Sequence, residues 1–108
     1  MVKKKLKILW DDEAKKSLRS IYEYIKKRES VTVAKRVRTG IINQAKSLAS
    51  FPEKFAAEPY LETIPGNFRY KVIWSYKIIY EITSGTIYVL DIFHTSRDPS
   101  NITSLAED

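Results

Sequence analysis

The sequence predicts an α+β domain in which an N-terminal strand and an α-helical hairpin precede a three-stranded antiparallel meander that completes one sheet. Three observations carry this. Residues 5–10 alternate, residues 11–50 repeat apolar positions at helical spacing, and from Phe68 to His94 the period returns to two. A single domain over residues 1–108 follows, because either half would be too small to bury a core of its own. Residues 100–108 are expected to form a flexible tail.

The first strand runs from Lys5 to Trp10, with Leu6, Ile8 and Trp10 on one side and Lys5, Lys7 and Leu9 on the other. Asp11-Asp12-Glu13 then supplies a capping residue and first-turn acids that complement the helix dipole. Ala14, Leu18, Ile21, Tyr22 and Ile25 mark the apolar stripe of a helix ending near Glu29. Ser30 or Thr32 opens a second helix with the stripe Ala34, Val37, Ile41, Ala45 and Leu48, and Phe51-Pro52 ends it. The short break implies an antiparallel hairpin. Gly40 inside that helix costs roughly 1 kcal/mol relative to alanine, and close helix packing is its expected reason.

Residues 52–67 hold three prolines and Gly66 and read as an irregular connection with one short helical turn. The meander follows. Phe68, Tyr70 and Val72 oppose Arg69, Lys71 and Ile73, and an odd-length turn over residues 74–76 keeps the aromatic faces consistent into the next strand. That register sets Arg69, Lys71, Lys77 and Glu81 on one face, with Arg69 opposite Glu81. Ser84-Gly85 signals a tight turn into a last strand, Thr86 to about His94. A two-residue turn there brings Tyr88 and His94 to the face of Arg69, whereas three residues would send His94 to the core side. Trp10, Tyr80 and Phe93 read as core.

Nineteen Lys plus Arg stand against 13 Asp plus Glu, a formal net charge of +6. Such a balance favours anionic partners through long-range attraction and counterion release, without choosing among nucleic acid, a ribosome and an acidic protein segment. It also fits a merely solvated, lysine-rich surface. With no cysteine, disulfides, thiolate nucleophiles and cysteine-ligated metals are excluded. One histidine and three glycines without a phosphate-loop pattern argue against any metal or cofactor. The basic start is followed by alternation and no membrane-length apolar run occurs, so the expectation is a cytoplasmic protein with no membrane partner.

The runs Arg69-Tyr70-Lys71 and Ser75-Tyr76-Lys77-Ile78-Ile79-Tyr80-Glu81-Ile82, with the ending Phe93-His94-Thr95-Ser96-Arg97-Asp98-Pro99, are the most specific features. In this order, after strand–helix–helix, they resemble the RelE/ParE superfamily of type II toxin–antitoxin toxins, plasmid stabilisation proteins among them. Members have a strand beginning in Arg, a "Tyr-Arg/Lys-Ile-Ile-Tyr" strand and a closing "His-x-x-Arg-Asp" segment. The resemblance implies a growth-inhibiting toxin neutralised by a cognate acidic antitoxin, with which it would form a hetero-oligomer. It covers two mechanisms: members resembling ParE poison DNA gyrase, and those resembling RelE cleave messenger RNA on the ribosome.

If the chain is an endoribonuclease, the resemblance makes Arg69 and Arg97 the phosphate-contacting arginines and His94 the acid or base, as cleavage through the 2′-hydroxyl requires. The catalytic tyrosine found toward the C-terminus of many nuclease members has no counterpart in residues 95–108, and Thr95 stands where some relatives carry one. That departure favours the gyrase-directed mechanism, with Lys71, Lys77, Glu81 and Tyr88 as target or antitoxin contacts. A third reading is an inactive, toxin-derived binding module. Structural roles stand beside these: a cross-strand Arg69–Glu81 pair contributing under ~1 kcal/mol, a strand-end histidine, and a turn at residues 97–99.

Overall fold

The computed structural model describes residues 6–50 and 55–95. The elements are β1 (Lys7–Trp10), α1 (Asp12–Arg28), α2 (Val31–Ser47), a 3₁₀ turn (Pro59–Leu61), β2 (Phe68–Ile73), β3 (Tyr76–Thr83) and β4 (Thr86–His94). They form the predicted α+β arrangement. The sheet order is β1-β4-β3-β2, with β1 parallel to β4 and the three later strands antiparallel.

Both helices begin where the sequence indicates, by different means. Ser30 accepts the Val33 N–H at 3.1 Å and so caps α2, while Asp11 stands at the N-cap of α1 without a side-chain cap bond. Burial pushes the Asp11 carboxyl above its usual range, and the neighbouring Asp12 adds to this. Asp12 and Glu13 in the first turn and Lys26, Lys27 and Arg28 in the last both suit the helix dipole.

The two helices pack on one face of the sheet. Ala14 of α1 and Ile41 and Ala45 of α2 meet Ile78, Val89 and Ile92, with Trp10, Leu18, Ile21, Val37 and Tyr76 at the margin. Farther along, Leu48 joins Tyr80 and Ile87. Each fully buried Ile or Leu here contributes roughly 1.5–3 kcal/mol. The opposite face is covered by the connection before β2, where Leu61 and Ile64 pack on Phe68, Ile79, Leu90 and Phe93. This connection acts as a strap. Glu58 N–H donates to Phe68 O at 2.8 Å and Tyr70 N–H to Ala56 O at 3.1 Å, so the strap also pairs with the edge of β2.

Three expectations about phase and packing are corrected. The β2–β3 turn has two residues, Trp74 and Ser75, because Ile73 pairs with Tyr76. Arg69 therefore faces Tyr80, and Glu81 faces Phe68. The pleat consequently splits the expected cluster: Arg69 and Lys71 point to the helix side, and Lys77 and Glu81 to the strap side. An odd turn would keep polar residues off the aromatic face, but the strap supplies Lys77 with a carboxylate there and removes that penalty.

The second correction concerns β4. Its turn has two residues, Ser84 (φ 40°) and Gly85 (φ 75°), the paired positive φ values that suit a right-twisted hairpin. A bulge then intervenes, because Ile79 pairs with Asp91 while Tyr80 pairs with Val89, leaving Leu90 as the extra residue. One extra residue inverts the phase. Tyr88 lies beside Glu81 on the strap side, away from Arg69, whereas His94 lies beside Tyr76 on the helix side and shares the face of Arg69 as the two-residue turn implied.

The third concerns Gly40, whose nearest neighbour is the Trp74 ring of the β2–β3 turn. A Cβ there would overlap the six-membered ring of Trp74. The missing side chain lets the Trp74 indole lie on α2, which helps offset the strain of a tryptophan at φ 52°.

Candidate functional site

Two polar constellations occupy opposite faces of the sheet. On the strap side, Lys77 extends from β3 between the rings of Tyr70, 4.3 Å from its ammonium, and Tyr60, 5.5 Å away. Its Nζ lies 2.7 Å from Oε2 of Glu58. Glu58 is 1% exposed, and its Oε1 accepts the Tyr60 N–H at 3.1 Å, capping the 3₁₀ turn. Apart from Lys77, Oε2 meets no donor among the described residues. A buried carboxylate without a counter-charge would cost several kcal/mol, so Lys77 locks the strap onto the sheet. Glu81 and Tyr88 are half-buried neighbours on this face.

On the helix side, Arg69 donates from Nε to Asn67 Oδ1 at 3.0 Å and from Nη1 to the Phe55 carbonyl at 2.6 Å. Its guanidinium thus ties both ends of the strap. It also lies near the Tyr80 phenol, which burial pushes up to about 12 despite the opposing pull of Arg69. Lys71 reaches Ser47 Oγ at 3.1 Å and lies 4.5 Å from the Phe55 ring centre.

His94 sits at the far end of the same face. Its ring meets Tyr76 edge-on, with centroids 5.5 Å apart and planes at 87°. Burial raises the Tyr76 phenol above its usual range, with a further contribution from Tyr24. Between Arg69 and His94 lie four residues of strand and two strand spacings, a separation of roughly 16 Å. The structure therefore holds these two predicted residues apart, and Arg97 falls outside the described residues. The four expected contact residues divide likewise, with Lys71 on the helix side and Lys77, Glu81 and Tyr88 on the strap side.

Several important residues were not singled out by sequence reasoning. Glu58 lies in the proline-containing connection, where no periodicity announces a buried carboxylate. Asp91, 5% exposed at the bulge, accepts from Ser17 Oγ of α1 and from its neighbour Ile92 N–H at 2.7 Å. An aspartate amid an apolar strand was a usable signal for it. Trp74 was another, since a tight turn has no conformational need of an indole.

No group of three or more metal-ligating residues converges among the described residues. Nor is any described helix long and apolar enough to cross a membrane.

The strand–hairpin–meander order with the parallel β1–β4 pair defines a small α+β architecture, and the sequence comparison is specific within it. Residues 8–99 match the family described as ParE toxin of type II toxin-antitoxin system, parDE. The chain belongs to the ParE toxin family. Among solved structures it is similar to a chain of the chromosomal ParDE TA system from P. aeruginosa, with 21% identity and a TM-score of 0.71. That alignment covers 82% of this chain and 95% of the other. No curated protein matches.

Proposed function

We propose that this chain inhibits growth by acting on DNA gyrase in the cytoplasm and is neutralised by a cognate acidic antitoxin. The family match over residues 8–99 carries the reading. Two features support a binding mechanism over RNA cleavage. Arg69 is committed to Asn67 and the Phe55 carbonyl, and its roughly 16 Å separation from His94 leaves no shared phosphate position for the two. The net charge of +6 suits an acidic antitoxin. Lys71, Glu81 and Tyr88 are the proposed contacts, with Lys77 acting through the strap it holds.

Pulse-labelling of DNA and protein synthesis after induction without antitoxin tests the proposal. DNA synthesis is expected to stop first, and purified protein is expected to inhibit gyrase supercoiling. Protein synthesis stopping first would replace this reading with ribosome-dependent mRNA cleavage and return Arg69, His94 and Arg97 to catalytic candidacy. Harmless overexpression would indicate an inactive binding module.

A further inference from the structure

Two exposed rings, Tyr24 in the second half of α1 and Trp74 in the β2–β3 turn, are used by neither the core nor the strap. Tyr24 is 57% exposed and Trp74 56%. Tyr24 accepts a hydrogen bond from Arg28 Nε at 3.1 Å, and the guanidinium carbon lies 5.2 Å from its ring centre. Tyr76 follows Trp74 by two residues and meets His94 edge-on. Beside this pair opens a cleft of about 360 Å³, bordered by Lys16, Ser17 and Ser20 of α1. Its one acidic lining residue, Glu13, lies 3.5 Å from Lys16.

We propose that this end of the sheet, presenting Tyr24, Arg28, Trp74, Tyr76 and His94, binds single-stranded nucleic acid. Unstacked bases would lie on the exposed Tyr24 and Trp74 rings, and the intervening phosphates would meet Arg28, Lys27 and the Lys16 side of the cleft. Base–aromatic stacking tolerates any sequence because every base has a π-face, and cations beside the rings track the backbone. The backbone at Trp74 is itself informative. A tryptophan at φ 52° occupies a position where glycine or asparagine is unstrained, and Gly40 clears the space in which its ring rests on α2. The indole is thereby fixed in place with more than half of its surface exposed, as a stacking platform requires.

An acidic peptide would satisfy the cations, and competition by poly-glutamate distinguishes it from a strand whose bases stack on the rings. Duplex DNA keeps its bases stacked and would also leave them unused. The proposal is independent of the gyrase reading, so its failure leaves that reading intact.

The test is fluorescence anisotropy with labelled single strands of about ten nucleotides, a length within known single-strand site sizes, and the corresponding duplex. Single-stranded DNA or RNA is expected to bind at least about tenfold tighter than duplex, with Tyr24→Ala and Trp74→Ala each weakening binding about tenfold. Trp74→Phe retains a stacking ring and should lose less than about threefold. Lys27→Ala should reduce the salt-dependence slope by about 0.7, as for one phosphate contact on a single strand. Unchanged circular dichroism of the ring variants confirms that they fold. Equal affinity for duplex, competition by poly-glutamate as effective as by unlabelled strand, or binding indifferent to both alanine variants would overturn the proposal.

Discussion

Replacing Lys77 by alanine should destabilise the fold far more than loss of a surface lysine. The Glu58 side chain has no exposed area and the Lys77 side chain only 16%. Truncation leaves Oε2 without a donor and removes the ammonium from between Tyr60 and Tyr70. Breaking a buried pair from one side costs 3–5 kcal/mol in general, and the partial exposure of Lys77 places this case at about 3 kcal/mol. For a domain of this size that corresponds to a Tm lower by about 12 °C. Much of the cost is the stranded carboxylate, so Glu58→Gln combined with Lys77→Met should recover at least about half of it. Thermal unfolding followed by circular dichroism on the two single variants and the double variant supplies the cycle. A Lys77→Ala loss below about 1 kcal/mol, typical of an exposed pair, would refute the inference that this contact locks the strap.

Two further outcomes follow from the packing and from the buried phenol. Gly40→Ala should change stability little alone, because the gain in helix propensity of about 1 kcal/mol is cancelled by displacement of Trp74. In a Trp74→Ala background the full gain should appear in urea unfolding, and its absence would remove Trp74 as the reason for the glycine. Tyr80 stays protonated in the folded chain up to about 12, against an ordinary value of 10.0. Its contribution, on the order of 2 kcal/mol, is therefore complete below pH 10 and is lost as pH rises from 10 to about 12, where the unfolded chain ionises first. Alkaline titration by absorbance should show the Tyr76 and Tyr80 phenols ionising late, the Tyr80 step together with unfolding and abolished by Tyr80→Phe.

The candidate site was legible mainly as a set of residue types. The runs at 69–71 and 75–82 and the ending at 93–99 pointed to the toxin superfamily, and the match over residues 8–99 agrees. Their grouping in space was not legible. Arg69, Lys71, Lys77 and Glu81 share a face only if the turn before Tyr76 is odd, and one residue of difference in a turn exchanges the two faces of a strand. The Leu90 bulge acts in the same way on Tyr88 and His94, and nothing in the alternation of β4 marks where the extra residue falls.

The sequence by itself determined the order of elements, the helix start at Asp11 and a second at Ser30 or Thr32, the apolar stripes from Ala14 to Ile25 and from Ala34 to Leu48, and the tight turn at Ser84-Gly85. These are local properties, set by periodicity, capping and backbone preference within a few residues. Only the tertiary structure decided that β1 lies parallel against β4, that Trp74 rests on Gly40, that Glu58 meets Lys77 and that Ser17 meets Asp91. Each of these joins segments distant in the chain, and their pairing depends on competing long-range energies of burial and charge that no local pattern encodes.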